Sequence, residues 1–278
     1  MEHNRYNVPE GSLLDVKDGY QYKSNVFFKE NPSAFTMMLY SDAIEVVNPL
    51  GAGRGKHKVI QIFFTLCEIP KHLRSKIDRI QLVAVFREKM IKVYGYQKIY
   101  QQLVKDLLVL EAGIEVNFPS RRTVKCGLLI HPADNLEAHG VGGFSQSFSS
   151  KDICRFCHIQ HCDLLDNIHD YGARQHAAWT HDDYDRATSK IKHNKDNETM
   201  HDLVEPDILE SDAGSSSDED SSDSDDSEGC LSTGSDDDNI ESYGVKHICP
   251  LNKLQAFHSV EGFPPGKVVI SFLNDYGY

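Results

Sequence analysis

Two acidic residues, Asp42 and Asp134, each stand at the end of an apolar run of the chain. The first run closes with residues 39–42, Leu-Tyr-Ser-Asp, and the second covers residues 127–130, shortly before Asp134. If the two runs form neighbouring strands, the carboxylates lie side by side, which suits a divalent metal ion such as Mg²⁺. The alternative is that both aspartates only end their strands as turn residues.

A Cys-x-x-Cys pair, Cys154 and Cys157, is the second group that could do chemistry. The turn between such cysteines brings two thiolates to one side, so the spacing predicts a structural zinc ion. Tetrahedral closure needs further ligands, and His258 and Cys249, beyond an acidic stretch, are candidates. The alternative is a pair of unligated thiols in a helix.

Three strands, one helix and a fourth strand are predicted around the two aspartates. Runs of strand-forming residues bounded by Gly and Pro favour the strands, and apolar residues at three- and four-residue steps favour the helix. The predicted strands cover residues 34–47, 58–69, 77–86 and 123–130, and the predicted helix covers residues 96–112.

This β-β-β-α-β order predicts an α/β fold with a mixed, ribonuclease-H-like sheet, in which the fourth strand pairs parallel with the first. A parallel return needs a crossover of about a dozen residues or more. Residues 94–122 supply that crossover. The order therefore makes a meeting of Asp42 and Asp134 physically sensible.

We expect five segments along the chain. They are an irregular lead-in (1–25), a ribonuclease-H-like core (26–150), a Cys/His insertion (151–200), a disordered acidic Ser/Asp/Glu linker (201–244) and a truncated continuation of the core (245–278). A polar, poorly packed helix is expected over residues 182–200.

The charge of the chain is unevenly distributed. Residues 196–245 hold 18 of the 42 acidic residues and no Lys or Arg, which leaves 29 basic against 24 acidic residues elsewhere. This segment has too few apolar residues to bury a core. Its charge would attract basic proteins, whereas the mildly basic remainder could tolerate nucleic acid.

The remaining composition points to a reduced, intracellular setting. Seven cysteines, an odd number in uneven spacing, do not suggest a secreted disulfide framework. The first residues lack an apolar signal region, and no apolar stretch reaches the length of about 18 residues that a membrane span needs.

Short motifs in a particular order resemble the catalytic region of CACTA (En/Spm)-type transposase-like proteins of eukaryotes. Together they cover roughly residues 20–265, apart from the acidic stretch. The motifs are Leu39-Tyr40-Ser41-Asp42, Val47-Asn48-Pro49-Leu50-Gly51, His72-Leu73-Arg74-Ser75-Lys76, Asp134-Asn135-Leu136-Glu137-Ala138-His139-Gly140, Cys154-Arg155-Phe156-Cys157, Leu251-Asn252-Lys253-Leu254-Gln255-Ala256-Phe257-His258 and Gly262-Phe263-Pro264-Pro265.

The resemblance implies a ribonuclease-H-like core of the DDE type, in which three acidic residues hold two Mg²⁺ ions for cleavage and transfer of DNA strands. Asp42 and Asp134 match the first two acids. Cys154 and Cys157 are similar to the family's zinc-binding insertion. DNA as the ancestral partner and the nucleus as the location are implied in the same way.

The sequence departs from the family after residues 262–265, where the motif that carries the third acid is not seen. We therefore expect a truncated, transposase-derived fragment without strand-transfer activity. A hypothesis from another class is a zinc-containing nuclear protein that binds basic partners such as histones through the acidic segment. A third is an active metal nuclease whose third acid is Glu137 or Glu205.

Overall fold

The computed structural model describes six stretches of the chain: residues 13–46, 58–117, 119–147, 150–162, 177–198 and 244–258. Residues 201–243 of the predicted acidic linker and the segment after residue 258 lie outside the description. The described residues form a mixed α/β fold around a hydrophobic core. None of their helices is long and apolar enough to cross a membrane.

The elements follow one another along the chain with these bounds. In order they are α1 (Tyr20–Ser24), α2 (Val26–Glu30), β1 (Phe35–Glu45), β2 (Lys58–Leu66), α3 (Lys71–Arg74), β3 (Gln81–Arg87), α4 (Lys89–Ile99), α5 (Gln101–Ala112), β4 (Ile114–Asn117), β5 (Arg121–Val124), β6 (Cys126–Ile130), α6 (Asn135–Gly142), α7 (His181–Glu198) and α8 (Gln255–His258). Single 3₁₀ turns lie at Val16–Asp18 and Pro250–Lys253.

The centre of the fold is a four-stranded mixed sheet with the strand order β3-β2-β1-β6. β1 pairs antiparallel with β2, β2 pairs antiparallel with β3, and β1 pairs parallel with β6. β6 is buried along its whole length, as its unbroken apolar sequence predicts for a strand covered on both faces. The predicted order of three antiparallel strands, a helical crossover and a parallel fourth strand is confirmed.

The crossover from β3 to β6 differs from the single helix predicted over residues 96–112. α4 and α5 follow directly on each other, and Gly95 interrupts α4 with a φ of 71°, which L side chains rarely adopt. The β4–β5 hairpin comes after α5. The sequence does not predict this hairpin, because its short strands are mostly polar and exposed.

Two predicted strands have other bounds in the structure. β3 begins at Gln81 rather than at residue 77, and Ile77, which the prediction placed in the strand, is 93% exposed. The run 123–130 is divided at Lys125, so its first part pairs in the hairpin and its second part in the main sheet. An apolar run alone does not show which neighbour a strand pairs with.

α7 corrects the prediction of a poorly packed helix over residues 182–200. Tyr184 and Ala187 are buried in the core. The Tyr184 hydroxyl donates to the Gly142 carbonyl at 3.1 Å and accepts from the Cys249 amide at 2.8 Å. The prediction of poor packing was wrong because Tyr184, Ala187 and Ile191 lie at three- and four-residue steps and attach an otherwise polar helix to the core.

The described part of the predicted C-terminal continuation packs into the same core. Leu251, Leu254 and Phe257 are buried there. The Glu111 carboxylate of α5 accepts hydrogen bonds from the Gln255 and Ala256 amides at 3.0 and 2.8 Å, which satisfies unpaired donors at the start of α8. The segment after the acidic stretch is therefore part of the same folded unit.

A buried arginine joins the lead-in to the sheet. The Arg74 guanidinium donates to both carboxylate oxygens of Asp15 at 2.8 and 2.7 Å and to the carbonyls of Cys67 and Ile69 at 2.7 and 3.0 Å. These hydrogen bonds are the largest cause of a lowered pKa of Asp15. Two parallel charge-assisted hydrogen bonds also define the position of the lead-in.

We expect Asp15→Asn to destabilise the fold by about 1–3 kcal/mol at about pH 7, with solvent screening of the partly exposed carboxylate favouring the lower value. Because the folded pKa of Asp15 is lowered, its contribution is present above the ordinary value of 3.8 and is lost as the pH falls through the folded value. Urea unfolding at neutral and strongly acidic pH measures the effect.

Asn keeps the side-chain oxygen that accepts from the Val16 amide, so the substitution removes the charge and one hydrogen bond from Arg74 but keeps this cap. Asp78→Asn, which breaks a pair with Arg79 that is exposed on both sides, is the matched control. A pH-independent loss of stability in Asp15→Asn would contradict the prediction.

Candidate functional site

The structure places Asp42 and Asp134 at the same edge of two parallel strands. Asp42 lies inside β1, opposite Gln61 of β2, and β1 continues for three residues to Glu45. Beyond β6 the chain stays beside β1, since the Ser41 amide donates to the Pro132 carbonyl at 3.3 Å. Asp42 therefore lies inside its strand, as the predicted strand 34–47 has it, and the alternative that it ends the strand as a turn residue is wrong; the two aspartates follow neighbouring, parallel backbones.

Asp134 caps a helix in addition to being a candidate metal ligand. It is the N-cap of α6, and its Oδ1 accepts from the Glu137 amide at 2.6 Å. An aspartate in this position satisfies a free helix donor and is stabilised by the helix dipole. The cap fixes the carboxylate at the start of α6.

The charges of both aspartates affect the pKa of the Tyr40 hydroxyl. Its pKa is raised to about 12, first by burial, then by the charge of Asp42 and a hydrogen bond with it, and also by the charge of Asp134. Tyr40 and Asp42 are two residues apart on β1, so their side chains leave the strand on the same face. The electrostatic environment of this hydroxyl therefore includes both carboxylates.

Glu137 brings a third carboxylate to the same region. The side chain is buried, with 6% of its surface exposed, and its Oε2 accepts from the Tyr96 hydroxyl at 3.0 Å. Among the described residues, its Oε1 has no hydrogen-bond partner. Burial is the largest cause that raises the pKa of Glu137 to about 7; the Tyr96 hydrogen bond opposes it, and the charges of Asp134, Glu88 and Asp42 add to it.

A small cavity lies against Asp134 and Glu137, whereas Asp42 is not among its lining residues. Its volume is ≈ 90 Å³, and Asp134 and Glu137 line it together with Tyr96 of α4 and Lys92. This space admits several water molecules or a hydrated ion, but not an organic cofactor. Within the described part of the chain, however, no group of three His, Cys, Asp or Glu side chains is arranged to hold a metal ion.

The cysteine pair has the separation that a zinc ion requires. The Sγ atoms of Cys154 and Cys157 are 3.6 Å apart, and the Phe156 amide donates to Cys154 Sγ at 3.3 Å. Two sulfurs on a tetrahedral zinc, each bonded at about 2.3 Å, lie about 3.8 Å apart. The pair therefore fits two corners of a zinc site.

His258 is placed with a second imidazole. It faces His181, the first residue of α7, with ring centroids 4.4 Å apart, and its Nδ1 is buried without a hydrogen-bond partner among the described residues. Two residues before His181, the Trp179 indole donates to the Cys154 carbonyl at 3.3 Å. Cys249 is less suited as a ligand, because burial raises the pKa of its thiol to about 12.

The sequence offers Glu137 as a candidate third acid but does not show that its side chain is buried, and it gives no sign that His181 lies beside His258. Glu137 is one turn into α6, where an acid is also typical of a helix start. His181 begins a polar helix, where a solvated position is the default. Glu205, the other candidate for a third acid, lies outside the described residues.

No family model matches the chain, and no curated protein matches it in sequence. The functional assignment therefore depends on the geometry and chemistry of three groups: the acidic pair, the buried Glu137 and the cysteine pair.

We expect Glu137→Gln to stabilise the metal-free protein at about pH 8 and to have a smaller effect at about pH 5. The folded pKa of about 7 is above the ordinary 4.5, so the contribution of Glu137 is fully present below 4.5 and is lost as the pH rises through 7. The difference between the two conditions should be of the order of 2 kcal/mol.

Urea unfolding in the presence of a chelator measures this difference. Glu30→Gln, at an exposed position of α2, is the matched control and should show no such pH dependence. Equal effects of Glu137→Gln at both pH values would contradict a raised pKa in the folded protein.

Proposed function

We propose that this chain is a transposase-derived, DDE-type catalytic-domain fragment with a ribonuclease-H-like core, and that it does not cleave or transfer DNA strands. Support comes from the strand order β3-β2-β1-β6 with its helical crossover. The observation that carries the proposal is the parallel run of the backbone past β1, marked by the hydrogen bond from Ser41 to Pro132, which brings Asp42 and Asp134 to one edge.

The donor set fits a hard divalent cation. Asp42 and Asp134 would hold Mg²⁺, which prefers carboxylate oxygens. When bound, Mg²⁺ ions supply activation of an attacking oxygen and stabilisation of a leaving oxygen in phosphodiester chemistry. The buried Oε1 of Glu137, without a protein donor among the described residues, is consistent with a cation or water in the adjacent cavity.

The chain's own residues orient this pair. The hydrogen bond with Tyr40 orients the Asp42 carboxylate, and the amide of Glu137 occupies one oxygen of Asp134. Among the described residues no third ligand is arranged with the two carboxylates, and two carboxylates alone give weak metal binding and little stabilisation of a transition state. This is the physical reason for proposing a site whose architecture is retained and whose catalysis is lost.

We expect Mn²⁺ to bind the full chain weakly, and Asp42→Asn and Asp134→Asn each to lower its affinity about tenfold or more. Spectroscopic titration of free Mn²⁺ measures this, with Asp106→Asn, which removes an exposed acid of α5, as the control. Equal affinity in all variants would overturn the metal assignment.

Incubation with DNA ends and Mg²⁺ or Mn²⁺ tests the second half of the proposal, and we expect no cleavage. Cleavage that Asp42→Ala abolishes would overturn the claim of inactivity and support the nuclease hypothesis. In that case Glu137→Gln decides whether Glu137 is the third acid.

A structural zinc ion at Cys154 and Cys157, with His258 as a further ligand, is the second part of the proposal. The sulfur separation of 3.6 Å supports it. Among the described residues no third His, Cys, Asp or Glu side chain is arranged with the two thiols, so His258, which packs against His181, is a ligand by proposal alone. Such an ion would join the residues around Cys154 to α7 and α8, and the proposed origin implies a nuclear location.

We expect about one zinc ion per purified chain, and less than half of that after Cys154→Ser or Cys157→Ser, together with a lower thermal midpoint. Elemental analysis gives the metal content. Cys67→Ser, which alters a buried cysteine elsewhere in the fold, is the control and should keep the zinc. Zinc near zero in the unaltered protein would rule out the assignment.

A further inference from the structure

A groove on the other side of α4 from the acidic cavity has a different chemistry. Its volume is ≈ 360 Å³, and it lies between α4, α5 and the 3₁₀ turn Pro250–Lys253. The groove and the cavity beside Asp134 share no lining residue. The groove is therefore a separate surface, and a ligand bound in it would not require the proposed metal site.

The charge of the groove is positive. Lys98, Lys105 and Lys253, from three different elements, line it with exposed side chains, and no lining residue is acidic. In the described part of the chain, none of the three forms an ion pair with a carboxylate. The nearby Asp106 lies outside the lining and accepts a hydrogen bond from Gln102 at 2.9 Å. Three ammonium groups on one groove, without a carboxylate partner among the described residues, attract an anion.

The groove also offers stacking and hydrogen-bonding groups. Tyr94, which is 38% exposed, lines the groove, and so do the side chains of Gln97 and Gln101, although the Gln97 amide nitrogen already donates to the Ile248 carbonyl. Phosphates alone would need only the lysines. An aromatic ring and two amides beside them suit a ligand that carries planar, hydrogen-bonding groups as well as phosphates.

The walls of the groove are held by the core. The side-chain amide of Gln97 donates to the Ile248 carbonyl, and Val104 and Pro250 are buried. The Glu111 carboxylate of α5 accepts hydrogen bonds from the first two amides of α8, which begins just after the turn. Because these contacts exist without a ligand, the groove is largely preformed.

Gly95 relates the groove to the acidic cavity. Its positive φ interrupts α4, and its two neighbours line different surfaces: Tyr94 the groove and Tyr96 the cavity with Glu137. A ligand in the groove would therefore contact α4, the same helix that bounds the acidic cavity.

From these observations we propose that the groove binds a single strand of nucleic acid, with phosphates at the three lysines and a base stacked on Tyr94. The groove volume is of the order of a small-ligand pocket, about 300–1,000 Å³, which suits one or two bases together with the backbone phosphates that flank them, rather than a duplex. The lysines should give affinity that falls steeply with salt, and Tyr94 should add a contribution that salt does not change.

Fluorescence anisotropy with the full chain and a labelled oligothymidine of about 20 nucleotides tests this, in a chelator so that no metal site contributes. The triple variant Lys98→Ala/Lys105→Ala/Lys253→Ala should reduce the slope of log K against log salt by about 2, because each phosphate that a lysine no longer neutralises accounts for roughly 0.7. Tyr94→Ala should weaken binding about 5- to 100-fold with an unchanged slope.

A triple variant at exposed lysines elsewhere, Lys23→Ala/Lys29→Ala/Lys76→Ala, changes the net charge equally and should keep the slope. Equal losses in both triple variants would overturn the groove assignment, since only overall charge would then matter. A synthetic peptide of residues 205–242 tests the other kind of anionic ligand. If it binds more tightly than the oligonucleotide, and only when the groove lysines are present, the ligand is an acidic peptide and the nucleic-acid assignment is overturned. Thermal unfolding confirms that each variant is folded.

Discussion

The parallel pairing of β1 with β6 is the contact on which the rest of the structure depends. Antiparallel neighbours can be joined by a short turn, but a parallel neighbour requires the chain to cross the sheet and start again from the same end. α4 and α5 make that crossing, and they also form one wall of the lysine groove. The same pairing makes β1 and β6 run in one direction, β1 past Asp42 and the chain after β6 on to Asp134.

Close packing on β6 extends this constraint to both ends of the described chain. A Cβ atom at Gly127 would lie 2.6 Å from the ring of Phe27 in α2 and 2.7 Å from the Cβ of Ala256 in α8. The Asn25 side chain donates to the Ala256 carbonyl at 2.7 Å across the same place. Only glycine leaves room for the two helices to meet here, so α2, β6 and α8 form one packed unit.

The sequence predicts the sheet and the acidic pair better than their surroundings. Long apolar strands and a leucine-rich helix have strong periodic signals, and they lead to the order that places Asp42 beside the backbone of Asp134. The β4–β5 hairpin has no such signal, because its strands are short and mostly polar. The bounds of β3 depend on which residues find partners in β2, which is a tertiary property.

In the candidate sites, too, the sequence predicts some residues, while others become apparent only from tertiary contacts. The sequence identifies Asp42, Asp134, Cys154 and Cys157 because their types and spacing are unusual. It cannot show that Glu137 is buried against Tyr96, since α4 and α6 meet only in the folded chain. The groove lysines likewise meet only in the fold, because Lys253 is about 150 residues after Lys98 and Lys105, and each alone is an ordinary surface residue.

The packing of Ala256 against Gly127 has a consequence for synthesis of the protein. The surface of β6 that α8 covers stays open until residues 255–258 have left the ribosome, over a hundred residues after β6 itself. At about 5–20 residues per second, this interval lasts roughly 6–25 s. During that time the nascent sheet carries an exposed apolar strand, and exposed apolar surface of this kind is what chaperones bind.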